Sequence, residues 1–235
     1  MGTAEFGYVE RASRLRGAVV WSKRSRRHGP ARILPDGCMD VIHSDGELYV
    51  AGPDTTAHLS WSAAGQRSVA VRFAPGQGPA LLGVPAWELR DQRVPLRALW
   101  SETTARRLTE RLDEAADPAA ELESVLLRMA ADREPDPLAP RLTARLRAGW
   151  TVAGIAAEVG LSERQLHRRG LALYGYGLKT LARILRLQDA LGLARGGVAY
   201  AAAAASAGYA DQAHLARDVK ALAGVPMQAL LQRAA

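Results

Sequence analysis

The stretch that decides the fold runs from Ser162 to Leu173, SERQLHRRGLAL, and it recurs in altered form about fifty residues later as Asp211 to Leu222, DQAHLARDVKAL. In a helix, which turns by about 100° per residue, the first stretch turns Arg164 and Arg168 to one face and Leu166 and Leu173 to the opposite face. The second stretch places leucine and valine at the same core spacing and turns Arg217 outward. Both stretches therefore predict an amphipathic helix with a basic outer face.

Each of these helices follows a short segment of small residues and a glycine. The first segment spans Val152 to Val159 and is followed by Gly160, whereas the second spans Ala199 to Ala207 and is followed by Gly208. A serine or an aspartate that can cap a helix N-terminus comes soon after each glycine. A short helix, a glycine turn and a capped second helix are typical of a helix-turn-helix, so the sequence predicts two such units.

The two units share a set of residues with a known family. The residues that carry the resemblance are Ala156, Gly160, Ser162, Leu166, Arg168 and Gly175 in the first unit, and Gly208, Tyr209, Asp211, Gln212, Leu215, Arg217 and Gly224-Val225-Pro226 in the second. With them, the sequence from about Arg141 to the end resembles the DNA-binding domain of AraC/XylS-family transcription regulators. The resemblance implies an all-α domain in which a long helix joins the two units.

Two positions depart from the family pattern. Gly170 stands where the family usually has a phenylalanine, and Leu178 stands where it often has a proline. Because Gly170 lies on the core face of its helix, we expect a space beside it that an aromatic side chain such as Tyr174, Tyr176 or Trp150 fills. On this basis we expect Gly170→Ala to stabilise the domain, since alanine is the better helix former.

The family correspondence implies which side chains face the DNA groove. They are Arg164, Gln165, His167, Arg168, Gln212, Ala213, Ala216 and Arg217. Arginine can make two hydrogen bonds to guanine, glutamine can bond adenine, and alanine can contact the thymine methyl group. For each residue, a phosphate contact or simple exposure to solvent stays open as the alternative. The helix from Leu178 to Ala194 is roughly 25 Å long, which suits two recognition helices in adjacent half-sites of one DNA face.

The charge of the chain is unevenly divided. Of its 31 Lys and Arg and 24 Asp and Glu residues, 13 and 5 lie in residues 141–235, which gives this segment a net charge of +8, whereas residues 1–140 have a net charge of −1. A basic segment of this kind favours a phosphate-bearing partner. One cysteine, Cys38, excludes an internal disulfide and a multi-cysteine zinc site. No apolar run of about eighteen residues occurs, so we expect a cytoplasmic protein with no membrane partner and no cofactor.

The first 75 residues or so are rich in short runs of strand-forming residues. An Asp-Gly pair within Ser44 to Glu47 predicts a hairpin turn, and helical patterns begin at Pro79. We therefore predict an α+β protein with an antiparallel β sandwich or small barrel, with helices, at residues 1–131. A proline-rich and acidic linker is predicted at 132–140, and the double helix-turn-helix domain at 141–235.

One strand of the N-terminal domain carries a carboxylate in apolar surroundings, and another carries a guanidinium. Alternation places Cys38, Asp40 and Ile42 on one face of the first strand, and Arg72 opposite the apolar side chains of the second. Asp40 and Arg72 are expected to pair, either as a structural tie or as an anchor for a small ligand, which makes Cys38, Asp40 and Arg72 a candidate effector pocket. The segments around these residues resemble an uncharacterised sensor-type domain found in many AraC-type regulators.

The leading hypothesis is a sequence-specific transcription regulator, and not an enzyme. Its expected partners are a double-stranded DNA operator and RNA polymerase, with a small-molecule effector and a homodimer as further options. The helices at 102–115 and 118–131 carry either the dimer contact or the packing against their own sheet. The alternatives are a regulator that responds to alkylation or oxidation of Cys38, and an enzyme with a DNA-targeting module.

Overall fold

The computed structural model describes residues 7–232, and its N-terminal domain is built on a six-stranded antiparallel sheet of order β1-β2-β7-β4-β5-β8. A second, two-stranded sheet pairs β3 with β6. The strands are β1 (Val9–Ala12), β2 (Val19–Arg24), β3 (Gly29–Ile33), β4 (Met39–Ser44), β5 (Glu47–Ala51), β6 (His58–Ser62), β7 (Arg67–Phe73) and β8 (Arg93–Pro95).

The described residues form ten helices, of which the first precedes β8 and the others follow it. They are α1 (Gly78–Leu82), α2 (Glu102–Glu114), α3 (Pro118–Ala130), α4 (Leu138–Arg147), α5 (Val152–Glu158), α6 (Glu163–Tyr174), α7 (Leu178–Arg195), α8 (Tyr200–Ser206), α9 (Gln212–Ala223) and α10 (Met227–Gln232). Two short 3-10 turns, at Ala86–Glu88 and Leu96–Ala98, lie between α1 and α2. The predicted α+β fold, with a β-rich N-terminal domain and an all-α C-terminal domain, is confirmed.

The hairpin between β4 and β5 has the predicted turn. Asp45 and Gly46 both have positive φ, at 50° and 72°. A two-residue turn with positive φ at both central positions matches the right-handed twist of the paired strands, which is why Asp-Gly favours it.

One face of the large sheet forms the core of the N-terminal domain. Val41, Val71 and Phe73 are buried on this face against leucines of α2 and α3. The apolar faces of these two helices are thus used within their own domain, which is the second of the two roles that the sequence left open for them.

The linker is shorter than predicted. Helix α4 begins at Leu138, inside the predicted linker 132–140, because Pro137 and Pro140 fall before and within its first turn, where no backbone N–H is needed. Ala139 is buried, and its carbonyl accepts a 2.8 Å hydrogen bond from the Tyr174 hydroxyl.

The C-terminal domain contains two small cores that share α7. Leu181, Ile184 and Leu185 of α7 pack into the core of unit 1, which comprises α5 and α6, whereas Leu187 and Leu191 pack into the core of unit 2, which comprises α8 and α9. The long helix thus belongs to both units and fixes them to one another. Within residues 7–232, no helix has the length and apolar character needed to cross a membrane.

Candidate DNA-binding surface

Helix α6 begins with the predicted capping box. The Ser162 hydroxyl accepts from the Gln165 amide at 3.3 Å, and Gln165 Oε1 accepts from the Ser162 amide at 2.9 Å. The preceding turn contains Gly160 at φ 68°, as a helix-turn-helix glycine requires. These contacts fix the start of α6 and hold Leu166 in the core.

The outward face of α6 is basic. Arg164, His167 and Arg168 are exposed on it. Among the described residues, neither arginine has an ion-pair or hydrogen-bond partner in the protein, so both guanidinium groups are available to another molecule. Gln165 is exposed too, but its carbonyl oxygen is used in the capping box, which leaves its NH₂ group as a donor.

Helix α9 repeats the arrangement. Its N-cap, Asp211, accepts from the His214 amide at 2.6 Å, and Gly208 at φ 78° makes the turn before it. Leu215 and Val219 are buried below the helix. The predicted groove-facing residues are all exposed: Gln212, Ala213, Ala216 and Arg217.

Sequence reasoning missed one member of this surface. Lys220 is exposed, and it follows Ala216 and Arg217 by one helical turn, so it extends the outward face of α9. Its spacing of four residues from Ala216 and three from Arg217 could have indicated this position from the sequence, but the residues taken from the family correspondence ended at Arg217. An ammonium at the far end of the helix suits a phosphate contact.

Other arginines of the C-terminal domain form ion pairs that stabilise it. Arg169 pairs with Asp136, and Arg145 Nε lies 2.8 Å from Glu158 Oε2. Arg183 Nε donates to Asp218 at 2.9 Å, and this carboxylate, which is only 11% exposed, ties α9 to α7. These engaged arginines stabilise the domain, whereas Arg164, Arg168 and Arg217 have no ion-pair partner within the described part of the chain.

Arg186 adds to the tie between α7 and unit 2. Its Nη2 lies 3.6 Å from Asp218 Oδ2, and its guanidinium stacks 4.5 Å from the centroid of the Tyr209 ring. Tyr209 is the residue that follows Gly208, so the turn of unit 2 is fixed to α7 as well as to its own helices.

The candidate effector residues lie on the sheet face opposite the helices. Asp40 and Arg72 are directly paired across β4 and β7, with Arg72 Nε 3.3 Å from Asp40 Oδ1. Asp40 also accepts from Trp21 Nε1 at 2.6 Å, and Asp36 lies 3.5 Å from the guanidinium. The expected pairing is therefore present. Burial raises the pKa of Asp40, and the charge of Arg72 counteracts that rise.

Cys38 lies beside this pair without the surroundings of a reactive thiol. Its amide donates to Asp36 Oδ1 at 2.9 Å. Burial raises the pKa of the Cys38 thiol well above its usual value, and the carboxylate of Asp36 adds to the rise. Reactive cysteines need a lowered pKa, so these surroundings do not favour the alkylation or redox alternative. Among the described residues, no group of three or more His, Cys, Asp and Glu side chains is arranged to hold a metal ion.

Comparison with known proteins supports both halves of this description. Residues 155–233 match the family described as Helix-turn-helix domain, and residues 12–95 match a Domain of unknown function, DUF6597. No curated protein matches the sequence. The helix-turn-helix match supports a DNA-binding domain in the C-terminal part of the chain.

Solved structures of ToxT from Vibrio cholerae share the fold over nearly the whole chain. One, from strain O395, has a TM-score of 0.51 at 11% identity and covers 93% of this chain and 98% of its own. A 1.65 Å structure has a TM-score of 0.50 at 11% identity, with coverages of 96% and 98%. A third, bound to (E)-4-(8-methylnaphthalen-1-yl)but-3-enoic acid, has a TM-score of 0.50 at 10% identity, with coverages of 97% and 100%. This chain therefore joins an N-terminal DUF6597 domain to a C-terminal AraC-type helix-turn-helix domain, in a fold similar to that of ToxT.

Proposed function

We propose that this protein is a sequence-specific regulator of transcription that binds double-stranded DNA through α6 and α9. The observation that carries the proposal is the pair of capped, amphipathic helices whose outward faces hold arginines with no ion-pair partner among residues 7–232. Because α7 spans 18 residues, it is about 27 Å long. With one unit packed on each half of it, this length suits two successive major-groove segments, which lie roughly 34 Å apart on one face of B-DNA. One chain then reads two successive major-groove segments.

Each recognition helix has its own chemistry in this proposal. On α6, Arg164 and Arg168 each offer a planar pair of donors that suits guanine O6 and N7. On α9, Gln212 suits adenine or a phosphate, and Arg217 is the outward cation. Ala213 and Ala216 allow close approach to thymine methyl groups. Binding is expected to be more polar at the α6 half-site than at the α9 half-site.

DNA binding is tested with the full chain and a library of random-sequence duplexes. We expect the protein to enrich a common sequence with two half-sites, and the affinity for that sequence to fall steeply as salt rises, because several phosphates are neutralised. Enrichment of no sequence, or an affinity that is independent of salt, would contradict the proposal.

We further propose that the N-terminal domain responds to a small molecule at the sheet face around Asp40 and Arg72. Trp21 supplies an aromatic wall there, and the charged pair offers both a donor and an acceptor. ToxT in one structure holds a carboxylic acid, so small organic acids are the first compounds to test. Asp40→Asn should keep DNA binding and lose the response to the compound; loss of stability alone would identify the pair as a structural tie.

Two macromolecular partners belong to the same proposal. A regulator at a promoter needs a contact with RNA polymerase, and a second copy of the chain would allow a longer operator to be bound. Co-elution with purified polymerase on promoter DNA tests the first partner. The mass of the protein in solution, alone and with DNA, tests the second.

A further inference from the structure

Both recognition helices end against the N-terminal domain. Helix α6 ends at Gly175, whose φ is 80°. The backbone of Gly175 lies so close to the N-terminal domain that an added Cβ would be 2.7 Å from Pro53 Cγ and 3.1 Å from the carbonyl oxygen of Ala86. In addition, Arg90 Nη1 donates to the Gly175 carbonyl at 3.3 Å. Unit 1 is thus docked through a close backbone contact at the end of its recognition helix.

Helix α9 ends against the same domain through hydrogen bonds. The Leu222 carbonyl accepts from the Ala57 amide at 2.7 Å, and the Ala223 carbonyl accepts from Arg32 Nη1 at 2.7 Å. The last four carbonyls of a helix lack partners within the helix, and a cation is favourable at that end. Gly224 caps α9 through its own amide, and the N-terminal domain adds donors to two further carbonyls at that end of the helix.

One short loop takes part in both contacts. The segment Gly52–Ala57, which we name the bridging loop, contacts unit 1 through Pro53 and unit 2 through Ala57. These two residues are four positions apart, so the chain between them can span at most about 14 Å. The ends of α6 and α9 are therefore held by a connection that cannot lengthen.

The bridging loop is braced from within its own domain. Arg93 donates two hydrogen bonds to Asp54, at 2.8 and 2.7 Å, and this carboxylate is 9% exposed. Asp91 Oδ1 accepts from the Thr55 amide at 2.6 Å, and the Asp91 amide donates to the Pro53 carbonyl at 3.2 Å. A two-donor arginine clamp of this kind is geometrically specific, so the loop is a stiff element.

Helix α7 is also fixed to the N-terminal domain between the two docked ends. Gln188 Nε2 donates to the Pro35 carbonyl at 2.6 Å. Leu181 packs against Gly37, where an added Cβ would lie 2.9 Å from Leu181 Cδ1. The N-terminal domain thus contacts both units and the helix that joins them.

We propose that the bridging loop and Arg32 are positioning elements for DNA recognition, which brace the ends of the two recognition helices that α7 joins and so narrow the range of half-site spacings that the protein accepts. The inference rests on the proposed function. Base-reading residues cluster toward the start of a recognition helix, whereas the docked contacts lie at its end. The N-terminal domain can therefore hold both helices without covering the residues that face DNA.

The test uses the duplex that the wild-type chain selects from random sequence, together with derivatives that have one or two base pairs inserted or deleted between the half-sites. Wild-type protein should bind one spacing best. The preference is the ratio of the affinity for this spacing to the affinity for the altered ones. Arg32→Ala should reduce this ratio by about tenfold, which corresponds to the loss of one charge-assisted hydrogen bond. Its affinity for a duplex with a single half-site should not change.

Three variants complete the experiment. Arg32→Lys keeps a donor for the Ala223 carbonyl and should restore part of the preference. Gln188→Ala loosens α7 from the same domain and should also broaden the accepted spacing. Arg107→Ala removes an exposed arginine of α2 and should behave as wild type.

The outcomes separate this inference from the proposed function. If wild-type protein selects no sequence, the proposed function fails. If wild type selects a sequence but Arg32→Ala and Gln188→Ala weaken every spacing equally, or leave the spacing profile unchanged, the positioning role is overturned and DNA binding stands.

Discussion

The two helix-turn-helix units share one plan but are held together by different forces. Unit 1 has side-chain caps on both helices, from Thr151 on α5 and Ser162 on α6. Unit 2 has such a cap only on α9, from Asp211, and its α8 begins without one. Local sequence therefore specifies unit 1 more completely than unit 2.

The difference continues in how each unit joins the rest of the molecule. Besides the hydrogen bond from Arg90 to the Gly175 carbonyl, unit 1 has close packing contacts, at Gly170 against Leu178 and at Gly175 against Pro53. Unit 2 depends on polar contacts, above all the buried carboxylate of Asp218. Packing is sensitive to added volume and polar contacts are sensitive to lost charge, so different substitutions should damage the two units.

The largest effect is expected at the ends of the recognition helices. Gly175→Ala should lower the free energy of unfolding by about 2–4 kcal/mol, because a Cβ at φ 80° is strained and would also collide with Pro53. Gly224 is the equivalent residue of unit 2, at φ 73°, and an added Cβ would lie 3.4 Å from the flexible end of Arg32. Gly224→Ala should therefore cost only the backbone strain, about 1–2 kcal/mol.

Urea titration of both variants measures this difference. If both variants lose the same free energy of unfolding, the contact between Gly175 and Pro53 accommodates a Cβ without cost. The contrast between a packed unit 1 and a polar attachment of unit 2 would then be wrong at the helix ends.

The next effect tests the polar attachment of unit 2. Asp218→Asn removes the charge that Arg183 and Arg186 share, and should destabilise the protein by about 1–3 kcal/mol, since both arginines are partly exposed and regain water. Asp189→Asn is the matched control. It breaks an ion pair with Arg147 in which both side chains are more than 40% exposed, and should change stability by less than about 1 kcal/mol.

Thermal unfolding compares the two asparagine variants at neutral pH. If the control loses as much stability as Asp218→Asn, burial of the carboxylate is not what holds α9 to α7.

The third prediction compares the units on DNA. Arg168→Ala should cost about 1–3 kcal/mol of binding free energy and relax the preference at one base pair of the α6 half-site. Arg217→Ala should act on the other half-site only. Arg147→Ala, which removes an arginine paired with Asp189, should leave the preference of both half-sites intact.

Fluorescence anisotropy with single-base variants of the selected duplex gives these values. A uniform loss for every duplex sequence would identify either arginine as a phosphate contact and not as a reader of bases.

The sequence predicted the two helix-turn-helix units well, because the residues that indicate them lie close together in the chain. Capping residues, turn glycines and the 3.6-residue period are all read within one helix-turn-helix, and the Asp45-Gly46 turn was equally direct. By contrast, β1 and β6 carry no such local signal. All four residues of β1 are exposed, and β6 alternates exposed Leu59 and Trp61 with half-buried polar residues, which inverts the usual pattern of a strand.

For the candidate site, the sequence predicted which residues face outward on each recognition helix, but not the contacts that the ends of the helices make with the N-terminal domain. The outward residues followed from periodicity and family correspondence. The docking of both helix ends onto Gly52–Ala57 joins residues more than 100 positions apart, through a backbone hydrogen bond at Leu222 and the packing of Gly175 against the Pro53 ring. No side-chain pattern marks such a contact in advance.

The smallest expected effect, at Gly170, reverses a prediction made from sequence. The space beside Gly170 is not filled by an aromatic residue, because Leu178 occupies it: an added Cβ would lie 2.5 Å from Leu178 Cδ1 and 3.3 Å from the Tyr176 carbonyl oxygen. The two departures from the family pattern therefore touch each other, and Leu178 compensates for the missing phenylalanine.

Gly170→Ala should consequently destabilise the domain by about 0.5–1.5 kcal/mol, since displacing a buried leucine costs more than the gain in helix propensity. Gly192→Ala in α7 is the control, because no described atom lies within 4 Å of its added Cβ, and it should stabilise the protein by about 0.5–1 kcal/mol.

Gly170→Phe alone should destabilise the protein more than Gly170→Ala. Combined with Leu178→Pro, which is tolerated at the first position of α7, it should recover most of that loss. Additive losses in the double variant would show that Leu178 and Gly170 are independent, and the stabilities from urea titration decide between the two outcomes.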